Sequence, residues 1–344
     1  MSTIKDFTMR QYNGIDYDTL YPKSTSQQVL LNDSELASQL GLSGDNPTVN
    51  DALYNMGAAE VVVTAVNGHT ITATKGTTTL TQSVTSDYSV TFKIASFGTW
   101  TFTDTTMSIS QTLVVDTLKQ YSISLATLEL LSWSEISNLS NAGAASQIFS
   151  IGDTKTMTID DLTYEAQIIG FNHDTKSSGG TAGITFQFKW CYNTSYYMNS
   201  SSTNVGGWTS SYMRQTVMPL LLDKLPSDLQ SVIVPVNKLT SAGNKSTTIN
   251  TTSDSLFLLS EIEIFGTTSY SVAGEGSQYA YYSAGNSKIK YKQNAQGTGS
   301  AVDWSERSPA ASNSTGFCFV YRSGIAYGGN SASGTTSVAP TFCV

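Results

Sequence analysis

The chain has 344 residues, only 13% of them charged, and a formal net charge of −8 at pH 7. An acidic chain without a cluster of Lys and Arg is a poor partner for nucleic acid or an anionic membrane, because both attract concentrated positive charge. The 18 Tyr and 27 Gly, with abundant Ser, Thr and Asn, favour strands and turns over long helices. We therefore expect a mainly β protein with minor α content, divided into two or three domains.

The N-terminus carries no apolar core of the kind found in signal peptides, and no later segment approaches the length of a membrane span. These features predict a chain that is made and assembled in the cytoplasm and does not insert into membranes, unless a non-Sec route exports it.

The three cysteines, Cys191, Cys318 and Cys343, are too few for a disulfide framework and too isolated for a zinc site. We expect them to be small buried hydrophobic residues. A Cys318–Cys343 disulfide is the alternative.

Residues 1–57 are polar and uneven, with two short helical patches over residues 32–42 and 46–57. Each patch has a capping residue, apolar residues at helical spacing and a Gly at its end. Helices this short are not stable alone, so their apolar faces must pack against copies of the chain or a neighbouring protein. We expect residues 1–57 to be a helical and extended attachment or oligomerisation segment.

From residue 58 to residue 126, short apolar segments alternate with turns at regular intervals. This pattern predicts a small β-sandwich of immunoglobulin-like type. Asn67-Gly68 is predicted to be a hairpin turn, with His69 at the hairpin edge. No ionisable cluster marks this region, and we interpret it as a spacer.

Residues 127–344 form the third predicted domain. Ser134 is a candidate N-cap of a short helix with Ile136 and Leu139 facing inward. The remaining predicted elements, in chain order, are strands over Lys155 to Ile159 and Tyr164 to Phe171, a helix over 207–222, a helical turn at 226–231 leading into a strand that ends near Lys238, and a strand with one buried face over 254–266.

The segment from Trp304 to Val344 alternates short apolar strands with loops rich in Ser, Asn, Gly and Tyr, a composition typical of a rigid platform with an adaptable polar surface. Trp304, Arg307 and Pro309 are interpreted as structural support for this face, because Trp and Arg beside a Pro turn commonly buttress loops. The other loop residues are candidate contact residues, and the alternative for each of them is a solvent-exposed residue that binds no ligand. The candidate contact residues are Ser312, Asn313, Ser314, Tyr321, Arg322, Ser323, Tyr327, Asn330 and Ser331.

Several motifs follow one another in an order that resembles a known family. They are Ser132-Trp-Ser-Glu-Ile, Ile169-Gly-Phe-Asn-His173, Gly207-Trp208 with Met213-Arg214, Leu225-Pro226-Ser-Asp-Leu229, Val234-Pro-Val-Asn-Lys238, residues 256–266, Gln278-Tyr-Ala-Tyr-Tyr282, Arg307-Ser-Pro309 and Val338-Ala-Pro-Thr-Phe342. The chain thereby resembles bacteriophage and prophage tail fibre, tail-tip and receptor-binding proteins of Gram-positive hosts, whose C-terminal domain is C-type-lectin-like. One departure is a single Trp304 before Arg-Ser-Pro, where the family usually shows a paired Trp.

The resemblance implies a homotrimer that is part of the virion tail or baseplate. It also implies that residues 1–57 attach to other tail or baseplate proteins, and that a C-type-lectin-like head over 127–344 meets a host-surface glycan, teichoic acid or protein. We expect a receptor-binding protein. A purely structural tail fibre or baseplate component without receptor contact is the alternative, and a polysaccharide depolymerase is the third.

We expect no metal, no cofactor and no enzymatic activity. The Glu-Pro-Asn, Gln-Pro-Asp and Trp-Asn-Asp triplets of calcium-dependent lectins do not occur in the sequence, and Asp153, Asp160 and Asp161 are not grouped like a cation cage. Cys318 lies in an apolar strand without basic neighbours that would stabilise a thiolate. A carboxylate pair for glycan cleavage, Asp303 with Glu306, is the enzymatic alternative.

Three further assignments concern polar and aromatic residues in this domain. Arg307 beside Asp303 and Glu306 favours a local ion pair over catalysis, and His173 is interpreted as a loop-capping residue. Tyr279 and Tyr281 would alternate with Tyr282 across the faces of a strand.

Overall fold

A computed structural model describes residues 9–12, 17–20, 58–296 and 298–344. In this part of the chain, strand residues (37%) outnumber helical residues (14%) by more than two to one, which confirms a mainly β protein. The chain divides into two compact units near Ile123, with the short segments Thr64–Asn67 and Thr85–Tyr88 grouped with the second unit. No helix within the described ranges is long and apolar enough to cross a membrane.

Near the N-terminus, strands β1 (Met9–Tyr12) and β2 (Tyr17–Leu20) form an antiparallel pair in which Met9 lies opposite Leu20. The helices predicted over 32–42 and 46–57 lie outside the described residues.

From Ala59 onward, the first unit consists of two sheets. Its strands are β3 (Ala59–Thr64), β4 (Thr70–Lys75), β5 (Thr78–Ser83), β6 (Ser89–Ile94), β7 (Gly98–Asp104), β8 (Ile109–Val115) and β9 (Gln120–Ser124). One sheet has the order β6-β3-β9 and the other β5-β4-β7-β8. Alternate residues of β3, β4 and β7 are buried, as the period of two requires, and Phe92 meets Phe102 edge-on with 5.7 Å between ring centroids. The two sheets therefore share one core.

The predicted hairpin at Asn67-Gly68 is wrong. Strands β3 and β4, on either side of it, belong to different sheets, so this turn joins the two layers instead of two paired strands. The hairpin partner of β4 is β5, reached through Gly76, whose φ of +58° is a backbone conformation that Gly adopts without strain. His69 is correspondingly not at a hairpin edge, and its Nδ1 lies 2.8 Å from Asp104 Oδ2.

The second unit contains three sheets and several short helices. Its strands are β10 (Thr154–Ile159), β11 (Leu162–Phe171), β12 (Ile184–Phe188), β13 (Val236–Ser241), β14 (Ile249–Asp254), β15 (Trp304–Pro309), β16 (Gly316–Val320), β17 (Ala326–Ser331) and β18 (Thr341–Cys343). Its helices are α1 (Trp133–Asn141), α2 (Ala145–Ile148), α3 (Gly207–Ser210), a π-helical turn (Met213–Val217), α4 (Met218–Leu222), α5 (Ser227–Gln230), α6 (Glu261–Phe265) and α7 (Ala280–Ser283). The sheet orders are β10-β11-β12-β18, β13-β14 and β15-β16-β17.

Helix α1 packs against the four-stranded sheet through Trp133. Its indole meets Phe186 and Phe342 edge-on, with ring centroids 5.4 and 6.0 Å apart. Ile136 and Leu139 are buried as predicted, but the N-cap is Ser132 and not Ser134. Ser132 forms a capping box with Glu135, a reciprocal pair of hydrogen bonds that Ser134 could not make.

The strand predicted over 254–266 is wrong, because β14 ends at Asp254 and only an isolated bridge at Phe257 precedes helix α6. Residues 256–259 are buried, but Ser260 and Glu263 form a capping box that starts helix α6, which Gly266 ends at a φ of +72°. The alternation of Tyr279, Tyr281 and Tyr282 across a strand is also wrong, because helix α7 begins at Ala280.

The helix predicted over 207–222 is present in three pieces. Helix α3 ends at Ser210, and the π-helical turn leads directly into α4, where Pro219 lies in the first turn and donates no backbone hydrogen bond to the preceding turn.

All three cysteines are buried and free. The prediction of small buried hydrophobic residues is therefore confirmed for Cys191, Cys318 and Cys343, and the alternative Cys318–Cys343 disulfide is not formed.

Candidate functional site

Strand β15 is the most buried polar strand of the second unit. All six of its residues, Trp304-Ser-Glu-Arg-Ser-Pro309, are buried. The indole N–H of Trp304 donates to the Lys288 carbonyl at 2.9 Å, and Arg307 has no exposed surface. Trp304, Arg307 and Pro309 therefore lie below the surface, where they cannot touch a large ligand.

Arg307 joins four segments of the unit through its guanidinium. It pairs with both carboxylate oxygens of Glu263 and donates to Thr240 Oγ1 at 2.9 Å. It also donates to the carbonyls of Leu258 and Glu275, each at 2.9 Å. A buried guanidinium is tolerated because its donors are satisfied in this way.

The ion network continues from Glu263 through Lys238 to Asp174. Lys238 Nζ lies 2.7 Å from a carboxylate oxygen of each, and the Tyr279 hydroxyl donates to Asp174 at 2.8 Å. Burial by itself would raise the pKa of Asp174, but the Lys238 ammonium and hydrogen bonds outweigh it and hold that pKa well below its usual value. His173 stacks on Tyr279 with 3.8 Å between ring centroids.

Apart from Asp174, which directly follows one of them, these residues come from the motifs that carry the family resemblance. We call Asp174, Lys238, Glu263, Tyr279 and Arg307 the buried ion network. Because all five are buried, the network acts on folding and not directly on a ligand.

Glu306 does not form the local ion pair that the sequence suggested. Its carboxylate is fully buried, and neither oxygen has a hydrogen-bond partner in the described part of the chain. Burial raises the pKa of Glu306 well above its usual value, and the charges of Glu261 and Glu275 add to this. A carboxyl group enclosed in this way does not supply the second member of a solvent-accessible carboxylate pair with Asp303.

Outside the core, an open cleft of about 450 Å³ lies beside the β15-β16-β17 sheet. Most of its wall carries hydroxyl, amide or charged groups. The lining residues are Ser195, Lys292, Ser300, Ala301, Val302, Asp303, Phe319, Arg322, Asn330, Thr335, Thr336 and Ser337. We call this feature the polar cleft.

One wall of the polar cleft is fixed by a bidentate ion pair. Arg322 donates through Nε and Nη2 to the two oxygens of Asp303, each at 3.1 Å, and its backbone N–H donates to the same carboxylate at 2.8 Å. The guanidinium carbon also lies 5.2 Å from the centroid of the Tyr321 ring. Hydrogen bonds and a cation–π contact therefore hold the loop between β16 and β17 in one geometry.

A group of aromatic rings adjoins the polar cleft through Phe319. Phe319 lines it and contacts Tyr327, and Tyr327 in turn contacts Tyr321 and Tyr270, with ring centroids 5.3, 6.1 and 6.0 Å apart in that order. Tyr327, Tyr270 and Tyr321 remain 49%, 40% and 36% exposed. We call Tyr270, Phe319, Tyr321 and Tyr327 the tyrosine cluster. Packed against one another yet open to solvent, these rings offer a rigid amphipathic surface.

Gly328 makes room for this arrangement. A Cβ at that position would lie 2.6 Å from the Tyr270 ring, closer than real Cβ atoms approach. Tyr270 can therefore cover the β17 backbone only because residue 328 has no side chain.

The predicted contact residues fall into two groups. Tyr321, Arg322, Tyr327 and Asn330 belong to the polar cleft or the tyrosine cluster, and Ser323 is exposed in the same loop as Tyr321. The others lie at the opposite end of the sheet: Ser312, Asn313 and Ser314 precede β16, and Ser331 ends β17 opposite Gly316.

In the second group the side chain of Asn313 is turned into its own loop, where Oδ1 accepts from the backbone N–H groups of Thr315 and Gly316. Asn204, buried and absent from the predicted set, holds this loop by donating to the Gly316 carbonyl at 2.7 Å and to the Asn313 carbonyl at 3.1 Å. This part of the surface is therefore an ordered loop supported from below.

Sequence reasoning did not identify Tyr270, Phe319 or Lys292. Phe319 stands in a uniformly apolar strand, and Tyr270 and Lys292 come from segments without a motif. No group of three or more His, Cys, Asp or Glu side chains in the described ranges is placed to hold a metal ion.

Comparisons with known proteins add one finding. A family described as a domain of unknown function (DUF6273) matches residues 185–344, the part of the chain that contains β12 to β18 and the polar cleft. No curated protein and no solved structure matches the chain.

Proposed function

We propose that this protein is a bacteriophage tail or baseplate protein that binds the host surface through the polar cleft and the tyrosine cluster. The observation that carries the proposal is the position of three exposed, mutually packed tyrosines beside a polar cleft on a sheet that is anchored from below by Arg307. Exposed aromatic rings next to convergent polar groups are typical of binding sites.

The chemistry of this surface fits non-covalent adhesion. Tyrosine faces provide contact area at a low cost in conformational entropy, and the Ser, Thr and Asn groups of the cleft offer hydrogen bonds to the hydroxyl or amide groups of a glycan or protein. A single open site of this kind binds weakly, so several copies on one particle would supply the overall affinity. The homotrimer implied by the family resemblance is part of this proposal.

The remaining assignments of the proposal rest on the sequence: the head and the attachment segment on the family resemblance, and the spacer on the regular spacing of its predicted strands. Residues 127–344 form a C-type-lectin-like head, residues 58–126 an immunoglobulin-like spacer, and residues 1–57 attach the protein to other tail or baseplate proteins of the virion. The activity is adhesion without catalysis. Two features support the absence of hydrolysis: the Asp303 carboxylate is engaged by Arg322, and Glu306 is enclosed.

The test compares cell binding by the full-length protein and two variants. We expect Tyr321→Ala/Tyr327→Ala to bind Gram-positive cells or their wall fragments about tenfold more weakly than the unsubstituted protein, because one to two kcal/mol of aromatic contact is lost. Tyr212→Ala is the matched control, since Tyr212 is similarly exposed (38%) but lies against Tyr197, away from the cleft lining.

Three outcomes would overturn the proposal. Equal binding by the double variant would remove the tyrosine cluster from the site. Co-purification of the protein with another tail protein, without any cell binding, would establish the purely structural role. Release of reducing ends from host polysaccharide, lost in Asp303→Asn, would establish a depolymerase.

A further inference from the structure

Lys292 brings a positive charge to the polar cleft that no neighbouring carboxylate balances. Its ammonium donates to the Asn193 carbonyl at 2.8 Å, and within the described ranges no carboxylate oxygen lies within 4.0 Å of it. An ammonium group has three donors, so hydrogen-bonding capacity remains for a ligand.

The other charges of the cleft do not cancel this one. Asp303 and Arg322 neutralise each other as a bidentate pair, which leaves the charge of Lys292 in excess. Lys290 lies behind the same wall and donates to the Phe188 carbonyl at 2.7 Å, and its bridge partner Val302 lines the cleft. Burial lowers the pKa of Lys290 to about 8, so the excess charge of the cleft is assigned to Lys292.

This local excess contrasts with the chain as a whole, whose formal net charge is −8. A positive site on an acidic protein is not a by-product of overall composition. Its field is concentrated in a concave, partly enclosed region, where an anion gains most from it.

We propose that the receptor group bound in the polar cleft is an anionic saccharide, whose phosphate or carboxylate substituent binds the Lys292 ammonium while its sugar ring contacts Tyr321 and Tyr327. This inference rests on the function proposed above and adds the charge of the ligand to it. The bidentate pair of Asp303 and Arg322 then serves to position Tyr321, since its charge is already compensated.

The experiment measures binding of the full-length protein to three immobilised polymers: a glycosylated poly(glycerol phosphate), polygalacturonate and neutral dextran. We expect one or both anionic polymers to bind and dextran to bind at least about tenfold more weakly. Lys292→Met should weaken binding to the anionic polymer about tenfold, and Lys292→Arg should restore most of it, because Arg retains the charge. The preferred anionic polymer distinguishes phosphate from carboxylate.

Two controls separate this inference from general charge effects and from the proposed function. Lys245→Met removes an exposed lysine outside the cleft and should leave binding unchanged. Binding that is weakened by Tyr321→Ala/Tyr327→Ala but not by Lys292→Met would overturn the anionic ligand and keep the adhesion site. Equal binding to dextran, or no binding of either anionic polymer by the unsubstituted protein, would also overturn it. Insensitivity to the tyrosine substitutions would instead contradict the proposed function.

Discussion

The buried ion network makes a quantitative prediction about Arg307. The substitution Arg307→Met keeps much of the side-chain volume but removes every hydrogen bond that the guanidinium donates. Glu263 loses one of its two cationic partners, and the Thr240 hydroxyl and the Leu258 and Glu275 carbonyls each lose a donor. Because all of these groups are buried, water does not replace the lost bonds.

We expect the free energy of unfolding of the second unit to fall by about 3–5 kcal/mol, the range found when one partner of a buried ion pair is removed. For a unit of this size, each kcal/mol lowers the melting temperature by about 2–4 °C, so the expected shift is roughly 6–20 °C. Such a loss is a large part of the total stability of about 5–15 kcal/mol that is typical of folded domains.

Thermal and urea unfolding followed by tryptophan fluorescence measure this change. Of the five tryptophans, only Trp100 lies outside the second unit, so the signal reports chiefly on that unit. Arg322→Met is the matched control, because Arg322 is 58% exposed in its pair with Asp303 and such surface pairs contribute about 0–1 kcal/mol. A shift for Arg307→Met no larger than that of Arg322→Met would refute the assignment of the network as a determinant of stability.

Three further predictions concern buried acids and one glycine. Burial raises the pKa of Glu275 to about 7, so the folded state binds more protons than the unfolded state between these two pKa values. We expect about 3 kcal/mol of stability to be lost as pH rises from about 4.5 to 7, and urea unfolding across that range measures the loss. Burial also raises the pKa of Glu306, so its ionisation at high pH destabilises the folded state. We therefore expect Glu306→Gln to stabilise the protein more at pH 8 than at pH 4, and equal effects at the two pH values would contradict this. Gly328→Ala should cost about 1–3 kcal/mol by displacing the Tyr270 ring, and an unchanged urea midpoint would contradict the close packing.

Local patterns predicted strands such as β3, β4 and β7, because residues of alternating polarity separate two faces, but they did not predict β5, β12 or β14. The buried alternation of β3, β4 and β7 shows this signal. The error at 254–266 arose where a buried apolar run passes directly into a helix. The sequence does contain a signal for that change, because Ser260 is followed three residues later by Glu263, the spacing of a capping box. A prediction based only on the apolar residues of the segment misses it.

The pairing of strands was harder to predict than the strands themselves. Asn67-Gly68 has the residue types of a hairpin turn, yet the chain uses it to move from one sheet to the other. Turn chemistry determines the local backbone, whereas the shared core around Phe92 and Phe102 determines which strands become neighbours. That second choice depends on residues far apart in sequence.

The same distinction applies to the candidate site. Tyr321, Arg322 and Tyr327 could be proposed from composition, because they stand in a loop-rich terminal segment. Tyr270 and Lys292 reach them only through tertiary packing. The ion pairs of the buried network likewise join residues that are 44 and 64 positions apart, for Arg307 with Glu263 and for Lys238 with Asp174, which no local pattern encodes.

The structure separates the residues that hold the second unit together from those that face solvent. Arg307, Glu263 and Lys238 stabilise β15 and its neighbours from within, and none of their bonds involves the Tyr321 or Tyr327 side chains. Since side chains that share no partners contribute nearly additively to stability, substitutions on the exposed face leave the network intact. The ligand preference of the cleft can therefore change, through Tyr321, Tyr327 or Lys292, without changing the fold that presents it.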